Sequence, residues 1–242
     1  MMKNLKTSTL FITVIFILLT GALMAQEQAS KIVVPDNIFD FGFFVEDARV
    51  VHTFTIKNEG DDTLRIIKVK PGCGCTAAPL REDNVAPGDS TFVDVYFDSK
   101  RLTGLVKKKV TILSNDPIDP LVEAATISIT GKKHPYIAAD PEFINFGRIS
   151  ADKLDKEFST TLTNITDADV ELVIVDYSRD YIDVQLDKTL LEPGESAKFT
   201  VILRRVPLDP SYYNFSATLS ANIEDIKIHL TIPASGRLNR VD

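Results

Sequence analysis

The sequence predicts an all-β protein: two tandem β-sandwich domains behind an N-terminal signal peptide. Three observations carry that expectation. The apolar residues recur with a period of two, clusters of turn residues interrupt them about every dozen positions, and one unit occurs twice along the chain.

The repeat is legible at three landmarks. "IFDFG" (38–42) returns as "FINFG" (143–147), "FTIKNEGDDTLRI" (54–66) as "TTLTNITDADVEL" (160–172), and "VAPGDSTFVDVYF" (85–97) as "LEPGESAKFTVIL" (191–203). The glycines at 42 and 147 stand 105 apart, and the asparagines at 58 and 164 and the prolines at 87 and 193 each stand 106 apart. A shift that holds across three landmarks marks two copies of one unit, expected over 31–133 and 134–242 and joined near "GKKHPYIAADP". Within each copy, alternate residues are apolar. In "TFVDVYF", Thr91, Val93, Val95 and Phe97 share a face, as do Ala197, Phe199, Val201 and Leu203 in "AKFTVIL". "DIKIHLTIP" places Ile226, Ile228, Leu230 and Ile232 inward and Lys227, His229 and Thr231 outward. The clusters "NEGDD", "KPGCG", "APGDS", "NITDAD" and "EPGES" end these runs. Short strands at this spacing predict a two-sheet sandwich; a closed barrel is the alternative that pattern alone leaves open.

The first 25 residues are of another kind. Lys3 and Lys6 precede the apolar run Leu10–Leu19, and Ala25 closes it before "QEQASK". This is the order of a secretory signal peptide, and the run is shorter than the roughly 20 residues of a membrane span. Cleavage would release a soluble exported chain that does not span a membrane. It would also change the net charge from −7 to −9, because residues 1–25 hold two lysines and no acid. So acidic a chain has nothing to offer a phosphate backbone, so nucleic acid is not an expected partner.

"FDFG", "HTFTIKNEGDDTLRI", "PGCGCTA", "APGDSTFVDVYFD" and "SND" together resemble the bacterial domain-of-unknown-function 1573 family. That family is similar to the immunoglobulin-like domains of abnormal-spindle and hydin proteins and to major sperm protein. The resemblance is close over residues 38–131 and weaker over 143–236, where "YSRDY" (177–181) replaces "PGCGC". It implies immunoglobulin-like sandwiches and no particular activity.

The shared positions have physical reasons. Gly42 and Gly147 follow apolar strands and let the chain leave the sheet with positive φ. Pro87-Gly88 and Pro193-Gly194 suit a type II turn. Asn58 and Asn164 end strands where an amide side chain bonds neighbouring backbone. All are scaffold residues, and no catalytic residue is expected.

Cys73 and Cys75, the two cysteines of the chain, leave four readings open. In an oxidising compartment they form a local disulfide or a packed pair that shapes the bend. Such a bridge encloses almost no chain and restricts the unfolded state little. Thiol–disulfide exchange is the second reading, with Lys68 and Lys70 able to lower a thiol pKa, although the C-x-x-C spacing is absent. A soft-metal site such as Cu(I) is the third, but every methionine lies within the signal and only His52, His134 and His229 could add ligands. Covalent or inter-chain attachment is the fourth. No metal or cofactor is expected from these patterns. The run Lys107–Lys109 puts Lys108 on the same face as Val106 and Val110, which suggests an edge strand guarded by an inward lysine.

The expected function is a non-catalytic binding or scaffolding module in the periplasm or at the surface of a Gram-negative cell. It would present loops and edge strands to envelope proteins or polysaccharide. The rival is a thiol-redox or copper-handling protein acting through Cys73-Gly74-Cys75. A pilus-type assembly chaperone ranks below both, because the acidic chain shows no concentrated basic cleft.

Overall fold

The computed structural model describes residues 28–45, 48–74, 76–100, 105–131, 133–149, 154–205 and 213–238; the expected signal peptide at 1–25 lies outside them. Every regular element among the described residues is a strand, and no helix there is long and apolar enough to cross a membrane. The first nine strands are β1 (Ile32–Val33), β2 (Ile38–Asp40), β3 (Arg49–Asn58), β4 (Leu64–Pro71), β5 (Thr76–Ala77), β6 (Asn84–Val85), β7 (Ser90–Asp98), β8 (Val106–Ser114) and β9 (Leu121–Ile129). The next nine are β10 (Ile137–Asp140), β11 (Ile144–Ile149), β12 (Glu157–Asn164), β13 (Val170–Tyr177), β14 (Ile182–Leu186), β15 (Leu190–Leu191), β16 (Ser196–Leu203), β17 (Tyr213–Ile223) and β18 (Ile226–Leu238).

These strands build four sheets, ordered β1-β3-β7-β5 and β2-β9-β8-β4-β6, then β10-β12-β16-β14 and β11-β18-β17-β13-β15. Adding nine to each strand of the first pair yields the second pair. Neighbours are antiparallel except β2 with β9 and β11 with β18. Each pair of sheets encloses one apolar core. Phe41, Phe54 and Phe97 anchor the first, and Phe146, Phe199 and Phe215 the second. Each buried phenylalanine contributes about 2–3 kcal/mol by leaving water.

The alternation of the sequence is visible strand by strand. Thr91, Val93, Val95 and Phe97 are buried, and so are Ala197, Phe199, Val201 and Leu203. Three expectations fail for local reasons. Ile226 is 54% exposed, because it sits at the tip of the β17–β18 hairpin, beyond the reach of the opposite sheet. β8 is an interior strand flanked by β9 and β4, not an edge. However, β4 ends at Pro71 opposite Val110, so Lys108 lies on a stretch with a paired strand on one side only. Gly147 does not end its strand either. β11 continues to Ile149 through a bulge between Asn145 and Gly147, which a φ of +68° accommodates.

The turns of the two halves match. Asp89 N–H donates to Ala86 O at 3.1 Å around Pro87 and Gly88, whose φ is +81°. Glu195 N–H donates to Glu192 O at 3.0 Å around Pro193 and Gly194, at φ +78°. Proline at the first central position and a left-handed glycine at the second define a type II turn. Each turn hangs from an asparagine: Gly88 N–H donates to Asn58 O, and Gly194 N–H to Asn164 O.

Those asparagines are 1% exposed and fully bonded. Asn58 Nδ2 donates to Asp62 O (2.8 Å) and Val85 O (3.0 Å), while Oδ1 accepts from the N–H groups of Gly60 and Lys31. Asn164 Nδ2 donates to Ala168 O (2.8 Å) and Leu191 O (2.9 Å), and its Oδ1 accepts from Thr166. Nearby, buried Asp116 does similar work. Burial alone would raise its pKa, but N–H groups of Asp119, Ile32 and Ile118 donate to it and hold it below the usual carboxylate value. Replacing Asn58 or Asn164 with alanine strands buried backbone groups on two strands and a loop. Each variant is expected to lose about 3 kcal/mol in urea unfolding, against under about 0.5 kcal/mol for an exposed site.

Candidate functional site

Two regions hold the chain's chemistry: the cysteine bend and the junction between the two halves. The bend follows β4 directly. Gly72 N–H donates to Lys109 O at 2.8 Å, and a Cβ on Gly72 would meet that same oxygen at 2.8 Å, so a bulkier residue would push the bend off β8. Thr76 N–H returns to Cys73 O at 3.3 Å, and the Cys73 sulfur lies 3.4 Å from Thr76 Oγ1. Beyond the bend, β5 pairs with β7 at Phe97 and Tyr96. Cys75 lies outside the described residues, and no cysteine among those described is a free thiol. No group of three metal-ligating side chains occurs among the described residues.

The junction was not foreseen as a site, yet it contains all three histidines. Residues 40–44 form a strap that leaves β2 and runs onto β18. Phe43 N–H donates to His229 O (2.9 Å), Thr231 N–H donates to Phe43 O (2.8 Å), and the hydroxyl of Thr231 donates to Phe41 O (2.7 Å). The same strap stays bonded to its own half, since Phe44 N–H donates to Gly131 O and Thr130 N–H to Gly42 O. His229 Nδ1 lies 2.7 Å from Asp40 O; a carbonyl only accepts, so this nitrogen carries the proton. Thr231, read from the sequence as outward, is 1% exposed because the strap covers it.

A second contact joins β3 to β17. The Ser216 hydroxyl donates to Val51 O (2.8 Å) and accepts from Val51 N–H (3.1 Å). One side chain thus satisfies both backbone groups that a neighbouring strand would have taken. Beside it, His52 Nδ1 meets Asp176 Oδ2 at 2.7 Å, with the ring stacked on Phe39 at 3.7 Å between centroids. Arg81 adds a third tie. It holds Asp94 in its own half at 2.9 Å and Asp180 of "YSRDY" at 2.8 Å. The position that carries cysteines in the first copy therefore carries an inter-half ion pair in the second.

His134 closes the junction from the connecting segment. Its Nδ1 accepts from the N–H groups of Tyr136 and Ile137, both at 3.1 Å, which leaves the proton on Nε2, 3.3 Å from Ile228 O. Burial pushes its pKa from the ordinary 6.5 down to about 4, and nearby His229 adds to the fall while the bond to Ile228 opposes it. Protonation at Nδ1 would cost both accepted bonds.

Two predictions follow from this geometry. A Cβ at residue 42, where φ is +64°, would stand 2.0 Å from His229 O, whereas at Gly147, with φ +68°, it would meet nothing within 4 Å. Gly42→Ala is expected to cost at least about 3 kcal/mol and to speed amide exchange at Phe43 and Thr231. Gly147→Ala should cost about 1 kcal/mol of backbone strain and leave those amides protected. For His134, the unfolded chain binds a proton near pH 6.5 and the folded chain only near 4. The unfolded state therefore holds more protons between those values, and stability falls as pH drops through that window. The contribution is complete above pH 6.5, and its loss approaches about 3 kcal/mol near pH 4. Urea midpoints measured from pH 7 to 4 should show this slope, and His134→Asn should flatten it.

No curated protein matches the chain. Among solved structures, a protein of unknown function from Porphyromonas gingivalis W83 is similar at 10% identity, with a TM-score of 0.34, over 84% of this chain and 99% of its own. The periplasmic chaperone SfaE is similar at 10% identity and a TM-score of 0.33, over 86% and 100%. The YadV chaperone is similar at 10% and 0.31, over 84% and 98%. Likenesses this remote carry no argument about this chain. The family match is specific: residues 32–132, which include the strap, the Asn58 anchor and the cysteine bend, match the model of the family described as protein of unknown function (DUF1573).

Proposed function

We propose that the chain is an exported, non-catalytic binding and scaffolding protein of the bacterial cell envelope. It consists of two immunoglobulin-like β-sandwich domains, 31–133 and 134–242, behind a signal peptide at 1–25 that is cleaved. Its place is the periplasm or the surface of a Gram-negative cell, and its partners are envelope proteins or polysaccharide. The observation that carries this reading is where the polar side chains are used. Among the described residues, no buried side-chain nitrogen or oxygen lacks a hydrogen-bond partner; His52 and His229 bond across the junction, and the ring of His134 packs edge-on against Phe43. Reactive sites keep poised, incompletely satisfied groups; here those groups fasten one half to the other. Two sheet edges, β5 and β14, have a paired strand on one side only among the described residues and offer the other side to strand addition.

Cys73 and Cys75 act in this reading as a local disulfide that shapes the bend, supported by the lack of a free thiol among the described residues. The rival, redox or copper handling, needs those sulfurs to react. Serine at both positions separates the two. In-cell cross-linking of the double variant should return the same envelope partners as the natural chain, with a melting temperature lower by only a few degrees, about 1 kcal/mol. Loss of function with folding intact, or copper bound by the natural chain and not the variant, would establish the rival.

A further inference from the structure

The repeat allows each half to be read against the other at the surface. Strand pairing aligns Pro71 with Val110 and Tyr177 with Ala217, and the bond from Gly72 N–H to Lys109 O has its counterpart in Ser178 N–H to Ser216 O. Lys70 thus occupies the place of Asp176, and Lys109 that of Ser216. Through the pairing of β8 with β9, Glu123 and Leu121 stand where Thr231 and His229 stand on β18. In the second half these four positions receive the strap, His52 and Val51. In the first half Lys70, Lys109 and Leu121 are exposed and Glu123 is half-buried.

That bare face is cationic. Lys107 and Lys109 on β8 lie beside Lys68 and Lys70 on β4, all exposed. Directly opposed residues of paired strands share a face, and Lys68 is opposite Leu113 and Lys70 opposite Thr111. Lys68, Lys70 and Lys107 make no salt bridge among the described residues. The acids on the face are already engaged: Glu123 holds Lys109 at 2.5 Å and Thr126, and Asp40 accepts from Gly42 N–H and Ser128. Exposed Ile67 and Leu121, at 59% and 65%, flank the lysines. All this occurs on a chain of net charge −7.

Building on the binding role proposed above, we infer that the outer face of β4, β8 and β9, next to the cysteine bend, docks an acidic protein partner whose contact segment alternates acidic and apolar residues. Charge complementarity and the interleaved Ile67, Leu113 and Leu121 define that chemistry, and the covered face of the second half shows that this surface of the fold accepts polypeptide. A second copy of the chain is a poor occupant. The strap, His52 and Arg81 of each copy are spent on its own second half, and the residue in the second half equivalent to Phe43 is Arg148, which the lysines would repel.

The test uses a fluorescent peptide of alternating glutamate and valine, titrated by anisotropy with the chain that begins after the signal peptide. Lys70→Glu with Lys107→Glu should weaken binding at least about tenfold, whereas Lys57→Glu with Lys227→Glu, elsewhere on the surface, should change it by under about twofold. Raising salt should weaken it as well. All variants carry exposed substitutions, and their melting curves verify folding. Equal loss in both pairs, no binding of the natural chain up to about 1 mM, tighter binding of dextran sulfate than of peptide, or concentration-dependent self-association lost in the first pair would each overturn the inference. None of these results bears on whether cross-linking finds envelope partners at another surface, so this docking face can fail while the binding role stands.

Discussion

The structure depends most on a five-residue strap. Residues 40–44 bond on one side to Gly131 and Thr130 of their own half and on the other to His229 and Thr231. The backbone of Phe43 is shared between two cores. Such sharing requires close approach, and residue 42 can have no side chain beyond hydrogen, because a methyl would overlap the His229 carbonyl. Ser216, Arg81 and His52 then add hydrogen bonds between the halves around a contact already fixed by the main chain. Because the ties come from four separate segments, rotation about any one of them is resisted by the others.

The buried asparagines do for each half what the strap does for the pair. A carboxamide offers two donors and an acceptor that takes two bonds, and Asn58 uses all of them to tie the end of β3 to β6 and the following turn. The second half repeats the arrangement at Asn164, with Thr166 taking both acceptor places. The interior is therefore alike in the two copies, and they differ on their outer faces. Serine and threonine line the face that is covered, while lysine occupies the face that is not.

Much of this was legible in the sequence, for definite reasons. A period of two and turn residues at fixed offsets are local signals, and they located the strands, the type II turns and the doubled unit. Burial that depends on distant chain was not legible. Thr231 belongs to the polar side of its strand by pattern and is buried by a strap 190 residues away. His52 and Asp176 are 124 residues apart and no spacing rule links them. One signal was available: where the copies differ at equivalent outer positions, as at Lys109 and Ser216, their surroundings must differ too. Gly42 and Gly147 share a motif and a positive φ, yet one is dictated by contact and the other by a bulge. A single sequence carries no distinction between them.

The N–H and C=O of residue 43 find their partners in β18, the final strand described. A chain emerging N-terminus first, from a ribosome or across a membrane, can complete its first core long before that strand arrives. Until then the exposed edge of β3 at Val51 has no hydroxyl to satisfy it, and the strap has one neighbour instead of two. A chain cut short before the β17–β18 hairpin would therefore keep the edge of β3 at Val51 and the outer side of the strap unpaired, open to proteases and to stray strands.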